Sequence, residues 1–117
     1  MDSPNPQPSP AAQPGQDRRH YSRYTLQVQI EIHREGSSVP MRLATTDLSR
    51  AGCYIELMMP FPVGAHVRAT FWLDDFPIVV HGRVATSHPQ FGNGIMFEKF
   101  EGQAEQLLGR YLDGVTT

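Results

Sequence analysis

The clearest strand pattern in the chain is HVRATFWLDDFPIVVHGRVAT, residues 66–86. In its first half every second residue from 67 to 73 is apolar, and in its second half one face collects residues 78, 80, 82 and 84. A period of two is typical of a strand that buries one face and exposes the other. The intervening DDFP, residues 74–77, predicts a tight connection, so the stretch predicts two strands joined by a turn.

The same alternation extends outward over most of the chain. It predicts further strands in TLQVQIEI (25–32), VPMRLATTDL (39–48), GCYIELMM (52–59) and GIMFEKF (94–100), with REGSS, PFPVG and SHPQFGN between strands. The inward positions expected in the first two are Leu26, Val28, Ile30, Ile32, Val39, Met41 and Leu43. Pro40 marks the start or an edge of its strand, because proline cannot donate to a ladder. Short strands separated by turns favour a barrel or a sandwich, since a small open sheet would leave its edges unpaired.

The two ends of the chain differ from this middle. Residues 1–16 hold five of the ten prolines and no aromatic or branched apolar residue, so this tail is predicted to be disordered. Order is expected from Asp17, in one domain over residues 17–113. From Glu101, EGQAEQLLGRYL places apolar residues at helical spacing and predicts an amphipathic helix over about 101–112 that could cap a barrel end.

Composition excludes several classes of protein. The formal net charge of −2 and the pI near 6.2 argue against bulk, sequence-independent nucleic-acid binding. The first 16 residues lack the basic and apolar regions of a signal peptide, and no apolar run is long enough for a membrane span. Cys53 is the single cysteine, which fits a reducing compartment. We therefore expect a cytoplasmic protein that does not act at a membrane.

Catalytic and metal-binding patterns are not found in the sequence. The five histidines and Cys53 show no metal-ligand spacing, and Cys53 is expected to be a small buried or half-buried residue. His81 is expected on the polar face of its strand. Neither a glycine-rich phosphate loop nor a nucleophile elbow occurs. The sequence predicts no enzyme activity, no metal and no cofactor.

Three arginines gather where the tail meets the first predicted strand. Arg18, Arg19 and Arg23 lie within DRRHYSRY, residues 17–24, and nine of the ten basic residues of the chain are arginine. Arginine binds phosphate in bidentate fashion and stacks on flat rings. The cluster indicates a planar, anionic partner, and a solvated basic linker is the alternative interpretation.

A second short pattern, DLSRAG, occupies residues 47–52 between two predicted strands. Asp and Ser favour turns because their side chains bond nearby backbone N–H groups, and Gly52 is expected to supply a positive φ. In a functional interpretation Asp47 and Ser49 present oxygens to the edge of a nucleobase. A carboxylate suits the N–H donors of guanine, and arginine suits its O6 and N7 acceptors.

Together, Arg-x-x-x-Arg before the first strand and Asp-x-Ser-x-x-Gly about two strands later resemble the PilZ domain, a bacterial receptor for cyclic di-GMP. The Gly-hydrophobic-x-Phe pattern at residues 94–97 and the C-terminal helix extend the resemblance over residues 18 to about 112. It implies an all-β fold, a six-stranded antiparallel barrel with a C-terminal α-helix. It also implies that residues 17–23 form an arginine-bearing switch that folds over the ligand.

The resemblance also implies roles for single residues. Arg19 and Arg23 would contact phosphates and guanine, and Asp47 and Ser49 would bond guanine or hold the arginines in place. Gly52 would leave room for close approach.

One further glycine and one further arginine complete the candidate site. Gly94 is an additional candidate for ligand binding. An arginine directly before the first motif arginine, here Arg18, is associated in the family with two stacked ligand molecules per chain.

The function expected from the resemblance is that of a non-catalytic receptor which passes the cyclic di-GMP signal to an unidentified protein partner, in processes such as motility or biofilm formation. Two alternatives remain. One is a protein-interaction subunit with this fold that has lost ligand binding. The other is a small barrel that binds single-stranded nucleic acid, which the acidic balance and the single lysine disfavour.

Overall fold

The predicted strands pair into one closed sheet. The structure is a computed structural model, and it describes residues 22–115. Within that range the elements are β1 (Gln29–Arg34), β2 (Met41–Leu48), β3 (Gly52–Glu56), β4 (His66–Leu73), β5 (Phe76–His88), β6 (Gly92–Phe100) and α1 (Ala104–Val115). All neighbours are antiparallel in the order β1-β2-β3-β6-β5-β4, and β4 closes the barrel by pairing with β1. The six-stranded barrel with a C-terminal helix is confirmed, whereas the predicted tail, residues 1–16, and most of the predicted switch, residues 17–21, lie outside the described residues.

The β4–β5 hairpin is the part that local sequence describes best. β4 has the predicted bounds, and its alternate apolar residues are buried. The connection is shorter than predicted, because Phe76 and Pro77 already pair with β4 as part of β5. Asp74 and Asp75 alone make the turn, with φ angles of 52° and 71°. Two successive left-handed residues are characteristic of a type I′ turn, whose twist matches that of the strands it joins.

This turn predicts a stabilising substitution. We expect Asp75→Gly to stabilise the protein by about 0.5–1 kcal/mol, because glycine adopts a positive φ without the steric penalty of a Cβ atom. The midpoint of thermal unfolding should rise by about 2–8 °C. Asp75→Ala is the matched control, since it removes the same charge and keeps the Cβ. If both variants were equally stabilising, the charge and not the φ angle would be responsible.

The first two strands are shorter than the alternation predicts. β1 begins at Gln29, although Val28 before it is buried as expected. β2 begins at Met41, directly after Pro40, as expected of a residue that lacks an N–H. The prediction that Val39 points inward is wrong: it is 68% exposed, because it precedes the strand.

The third predicted strand, residues 52–59, ends early. β3 stops at Glu56, and Met58 and Met59 are exposed rather than paired. Asn93 holds the loop that follows, since its side-chain amide donates to the carbonyl of Phe61 and accepts from the N–H of the same residue, both at 2.9 Å. A long-range side-chain contact thus takes the place of the strand ladder.

The predicted loop at residues 87–93 is mostly strand. β5 continues to His88 and β6 begins at Gly92, which leaves residues 89–91 as the turn. Gly92 lies where a Cβ atom would be 2.0 Å from the carbonyl oxygen of Ile55, and Asn93 is completely buried. Close backbone approach and a buried amide, rather than a loop, account for these two residues.

The core fills the barrel and continues onto one face of α1. Its buried apolar residues are Val28, Ile30, Ile32, Leu48, Cys53, Ile55, Val67, Ala69, Phe71, Leu73, Ile78, Val80, Val84, Ile95, Ala104, Leu108 and Leu112. α1 begins and ends three residues later than the predicted 101–112, with the predicted face inward. A 12-residue helix is marginal by itself, so α1 depends on this packing.

α1 lies at the barrel end that carries the β2–β3 and β4–β5 turns. Arg50 of the first turn bonds to the helix. Tyr111 of α1 lies near enough to the second turn to be affected by its charge. Burial raises the pKa of Tyr111, and the negative charge of Asp74 raises it further. Across residues 22–115, no helix has the length and apolar character needed to cross a bilayer.

Candidate ligand-binding site

Arg23 lies beside Asp47 on the surface of the barrel. The next residue, Tyr24, exchanges two backbone hydrogen bonds of 2.9 Å with Leu48, and this bridge brings Arg23 to the end of β2. There Arg23 Nη1 donates to Asp47 Oδ1 at 2.9 Å. The side chain of Arg23 remains 59% exposed and that of Asp47 remains 26% exposed. Two residues 24 positions apart are therefore in contact, and the guanidinium keeps donors that face solvent.

Asp47 belongs to a row on the outer face of the barrel. The strand register aligns four residues in this row: Asp47, Tyr54, Gly94 and Thr86. Adjacent strands lie about 4.8 Å apart, so the row is about 14 Å long. Thr86 packs beside Gly94 in this row, because its hydroxyl accepts from the Gly94 N–H at 3.0 Å and occupies the space that a Cβ atom of residue 94 would need. The row presents a carboxylate, an aromatic ring and exposed backbone to one side of the barrel.

Ser49 shapes the turn between β2 and β3. Its hydroxyl accepts from the N–H groups of Ala51 and Gly52 at 3.1 and 3.2 Å, and it donates to the carbonyl of Gly52 at 3.3 Å. The residue is buried, so these bonds satisfy a hydroxyl that is shielded from water. Ser49 thus holds the geometry of the turn that positions Asp47.

Gly52 is required for a reason other than its φ angle. The expectation of a positive φ is wrong, since Gly52 is not among the described glycines with that conformation. Instead a Cβ atom at this position would be 2.2 Å from the backbone carbonyl oxygen of Ile95 in β6. The glycine permits the close approach of β3 and β6.

A family model described as the PilZ domain matches residues 17–114 of the chain. The chain belongs to the PilZ domain family. PilZ domains are known as cyclic di-GMP receptors, and in general they are not catalysts. A search of curated proteins finds no match.

Two solved structures resemble this PilZ domain. The PilZ domain of CeSA from a cellulose-synthesizing bacterium is 20% identical, with a TM-score of 0.63 over 82% of this chain and 99% of the other. The Bacillus subtilis inhibitor of motility MotI/DgrA is 16% identical, with a TM-score of 0.70 over 85% of this chain and 51% of the other. This chain therefore spans about half the length of the second protein. At these identities the likeness shows the fold.

The structure brings part of the predicted PilZ site together. Arg23 and Asp47 are in direct contact, Ser49 and Gly52 form the adjoining turn, and Gly94 lies in the same outer row as Asp47. Arg18 and Arg19 were also predicted to take part, and they lie outside the described residues.

Thr45 fixes the segment that follows Arg23, a role that the sequence did not predict. Its hydroxyl donates to the carbonyl of Leu26 at 2.7 Å and accepts from the N–H of Val28 at 3.0 Å, so it holds the segment after Arg23 along β2. The side chain is 1% exposed. The signal was a polar residue at an inward position of the alternation, since a buried hydroxyl requires partners.

Arg50 was also missed, although it lies inside the second PilZ motif, Asp47–Gly52. It points away from that motif's turn toward α1, where it pairs with Asp113 at 2.8 Å. Nothing local in the sequence indicates this contact, because the partners are 63 positions apart.

Cys53 lies in the core behind the ion pair. Burial raises the pKa of its thiol, the charge of Asp47 raises it further, and Arg23 partly opposes them. A raised pKa keeps the thiol protonated and a poor nucleophile. The prediction that Cys53 is a small buried residue is confirmed.

Proposed function

We propose that this PilZ domain binds cyclic di-GMP on the outer face that carries Arg23 and Asp47, and relays binding to a protein partner without catalysing a reaction. The observation that carries the proposal is the ion pair of 2.9 Å between the two motifs, whose guanidinium remains exposed. Cyclic di-GMP is a dianion with two guanines. An arginine can donate hydrogen bonds to its phosphates and to the O6 and N7 of guanine. A carboxylate can accept hydrogen bonds from the N1–H and the N2 amino group of guanine.

The outer row supplies further contacts for the ligand. Arg19 would join Arg23 at the phosphates, and Asp47 would exchange part of its bond to Arg23 for a guanine edge. The ring of Tyr54, next to a residue without a side chain at Gly94, offers a surface on which a purine can lie. Ser49 supports this arrangement through the turn rather than by reaching the ligand.

Arg18 provides the argument for two ligand molecules. One cyclic di-GMP carries two negative charges, which Arg19 and Arg23 can balance. A third guanidinium is better used when a second, stacked molecule brings two more phosphates and another guanine face.

As a receptor for a bacterial second messenger, the protein would act in the cytoplasm.

Calorimetric titration tests this function. We expect cyclic di-GMP to bind with at least micromolar affinity, roughly −8 kcal/mol, at two molecules per chain, falling to one in Arg18→Leu. NMR shifts should include the amides of Arg23, Asp47 and Gly94. A single-stranded oligonucleotide is the control ligand and should give no heat. Absence of heat and of shifts at saturating cyclic di-GMP would contradict the proposal, and saturation of the wild type at one molecule would assign Arg18 to steering alone.

A further inference from the structure

One side chain joins the second PilZ motif to the C-terminal helix. Arg50 Nη2 donates to Asp113 Oδ1 at 2.8 Å and to the carbonyl oxygen of Gly109 at 3.4 Å. Both partners lie in α1, while Arg50 belongs to the turn next to Asp47. The candidate ligand site and the helix at the barrel end are therefore connected by a guanidinium.

The helix has space for this guanidinium at Gly109. Glycine in the interior of a helix is unfavourable relative to alanine, and Gly109 is buried in the middle of α1. A Cβ atom at Gly109 would be 2.4 Å from Arg50 Nη1 and 3.1 Å from Arg50 Cζ. The missing side chain thus provides the space that Arg50 occupies.

The ion pair is exposed enough to be displaced. The side chain of Arg50 is 43% exposed and that of Asp113 is 73% exposed. Pairs in such positions are held weakly, because water competes for both charges. Arg50 follows Asp47 by three positions, so their Cα atoms lie at most about 10 Å apart. A dianion bound beside Asp47 is therefore within the range at which it competes with one carboxylate for Arg50.

We infer that Arg50 is a positioning residue that transmits ligand binding to α1: bound cyclic di-GMP draws Arg50 away from Asp113 and loosens the C-terminal half of the helix. This inference rests on the proposed function and names the element that responds. α1 covers the barrel end with Ala104, Leu108 and Leu112. A loosened helix offers this apolar face to a protein partner.

Hydrogen exchange of the amides of residues 110–114 tests the inference in two variants. Without ligand, Arg50→Gln should speed their exchange by about two- to fivefold, the effect of losing a weak ion pair. Gly109→Ala should also speed it, because the new Cβ displaces the guanidinium even though alanine favours the helix. With saturating cyclic di-GMP, the wild type should reach the rates of Arg50→Gln, and that variant should change little.

Two matched controls accompany these variants. Arg83→Gln removes a similar pair, with Glu98 at 3.3 Å and an arginine that is 45% exposed, and should leave α1 unchanged. Gly114→Ala adds a Cβ that meets no described atom within 4 Å, and should not speed exchange. If Arg50→Gln exchanges like the wild type, the link to α1 is overturned. If cyclic di-GMP binds to the wild type but the amides of residues 110–114 do not exchange faster, the inference is overturned and the proposed function stands. If cyclic di-GMP does not bind, both are overturned.

Discussion

Arg23→Ala is expected to weaken cyclic di-GMP binding by about ten- to hundredfold, because it removes a charge-assisted contact that contributes about 1.5–3 kcal/mol. Stability should change little. The pair of Arg23 with Asp47 is mostly exposed on the arginine side, and such pairs contribute about 0–1 kcal/mol. Calorimetric titration and thermal unfolding of the same samples would separate loss of binding from loss of folding.

Arg23→Lys separates charge from geometry at this position. An ammonium keeps the charge but cannot form two parallel bonds or lie flat on a purine, so we expect it to leave binding weak. Arg42→Ala is the control, since Arg42 forms a similar exposed pair with Glu31 at 3.2 Å on the neighbouring strands. Wild-type affinity in the lysine variant would show that charge alone matters. An equal loss of affinity in the Arg42 variant would argue against a specific site at Arg23.

Gly52→Ala is expected to destabilise the barrel by about 3 kcal/mol, at the upper end for added volume in a packed interior. The added Cβ would be 2.2 Å from the carbonyl oxygen of Ile95, so the backbones of β3 and β6 must separate. Neither atom is the end of a flexible side chain, and the strain cannot be relieved by a rotamer change. For a domain of this size the midpoint of thermal unfolding should fall by about 12–24 °C.

This variant also distinguishes two roles for the motif glycine. The resemblance to other PilZ domains assigns Gly52 to close approach of the ligand, whereas the structure places a strand backbone in that space. A variant with unchanged unfolding temperature and lost affinity would support the ligand role and contradict ours. Gly114→Ala, where the added atom meets nothing described within 4 Å, is the reference for a tolerated substitution.

For the candidate site, the sequence predicted the class of ligand from the residue types but not the contacts that hold the site together. Arginine and aspartate in the two motifs indicate a ligand with phosphate and guanine, and the structure places Arg23 against Asp47. Thr45 and Arg50 were not predicted, because their roles depend on bonds to Leu26 and Asp113, which lie 19 and 63 positions away. Residue type does not specify a distant partner.

The strands, the inward face of most of them and the amphipathic helix could all be predicted from local patterns in the sequence. β4 agrees with its prediction at both ends, because alternation is a local property that burial of one face imposes on every strand. Closure of the barrel decided the rest. In the closed barrel β3 ends at Glu56 and β6 begins at Gly92. Gly52 is required there because a Cβ atom would clash with the backbone of β6, and not because of its φ angle. These features arise where the backbones of the neighbouring strands β3 and β6 approach each other closely. Periodicity along one strand carries no information on which distant segment will lie beside it.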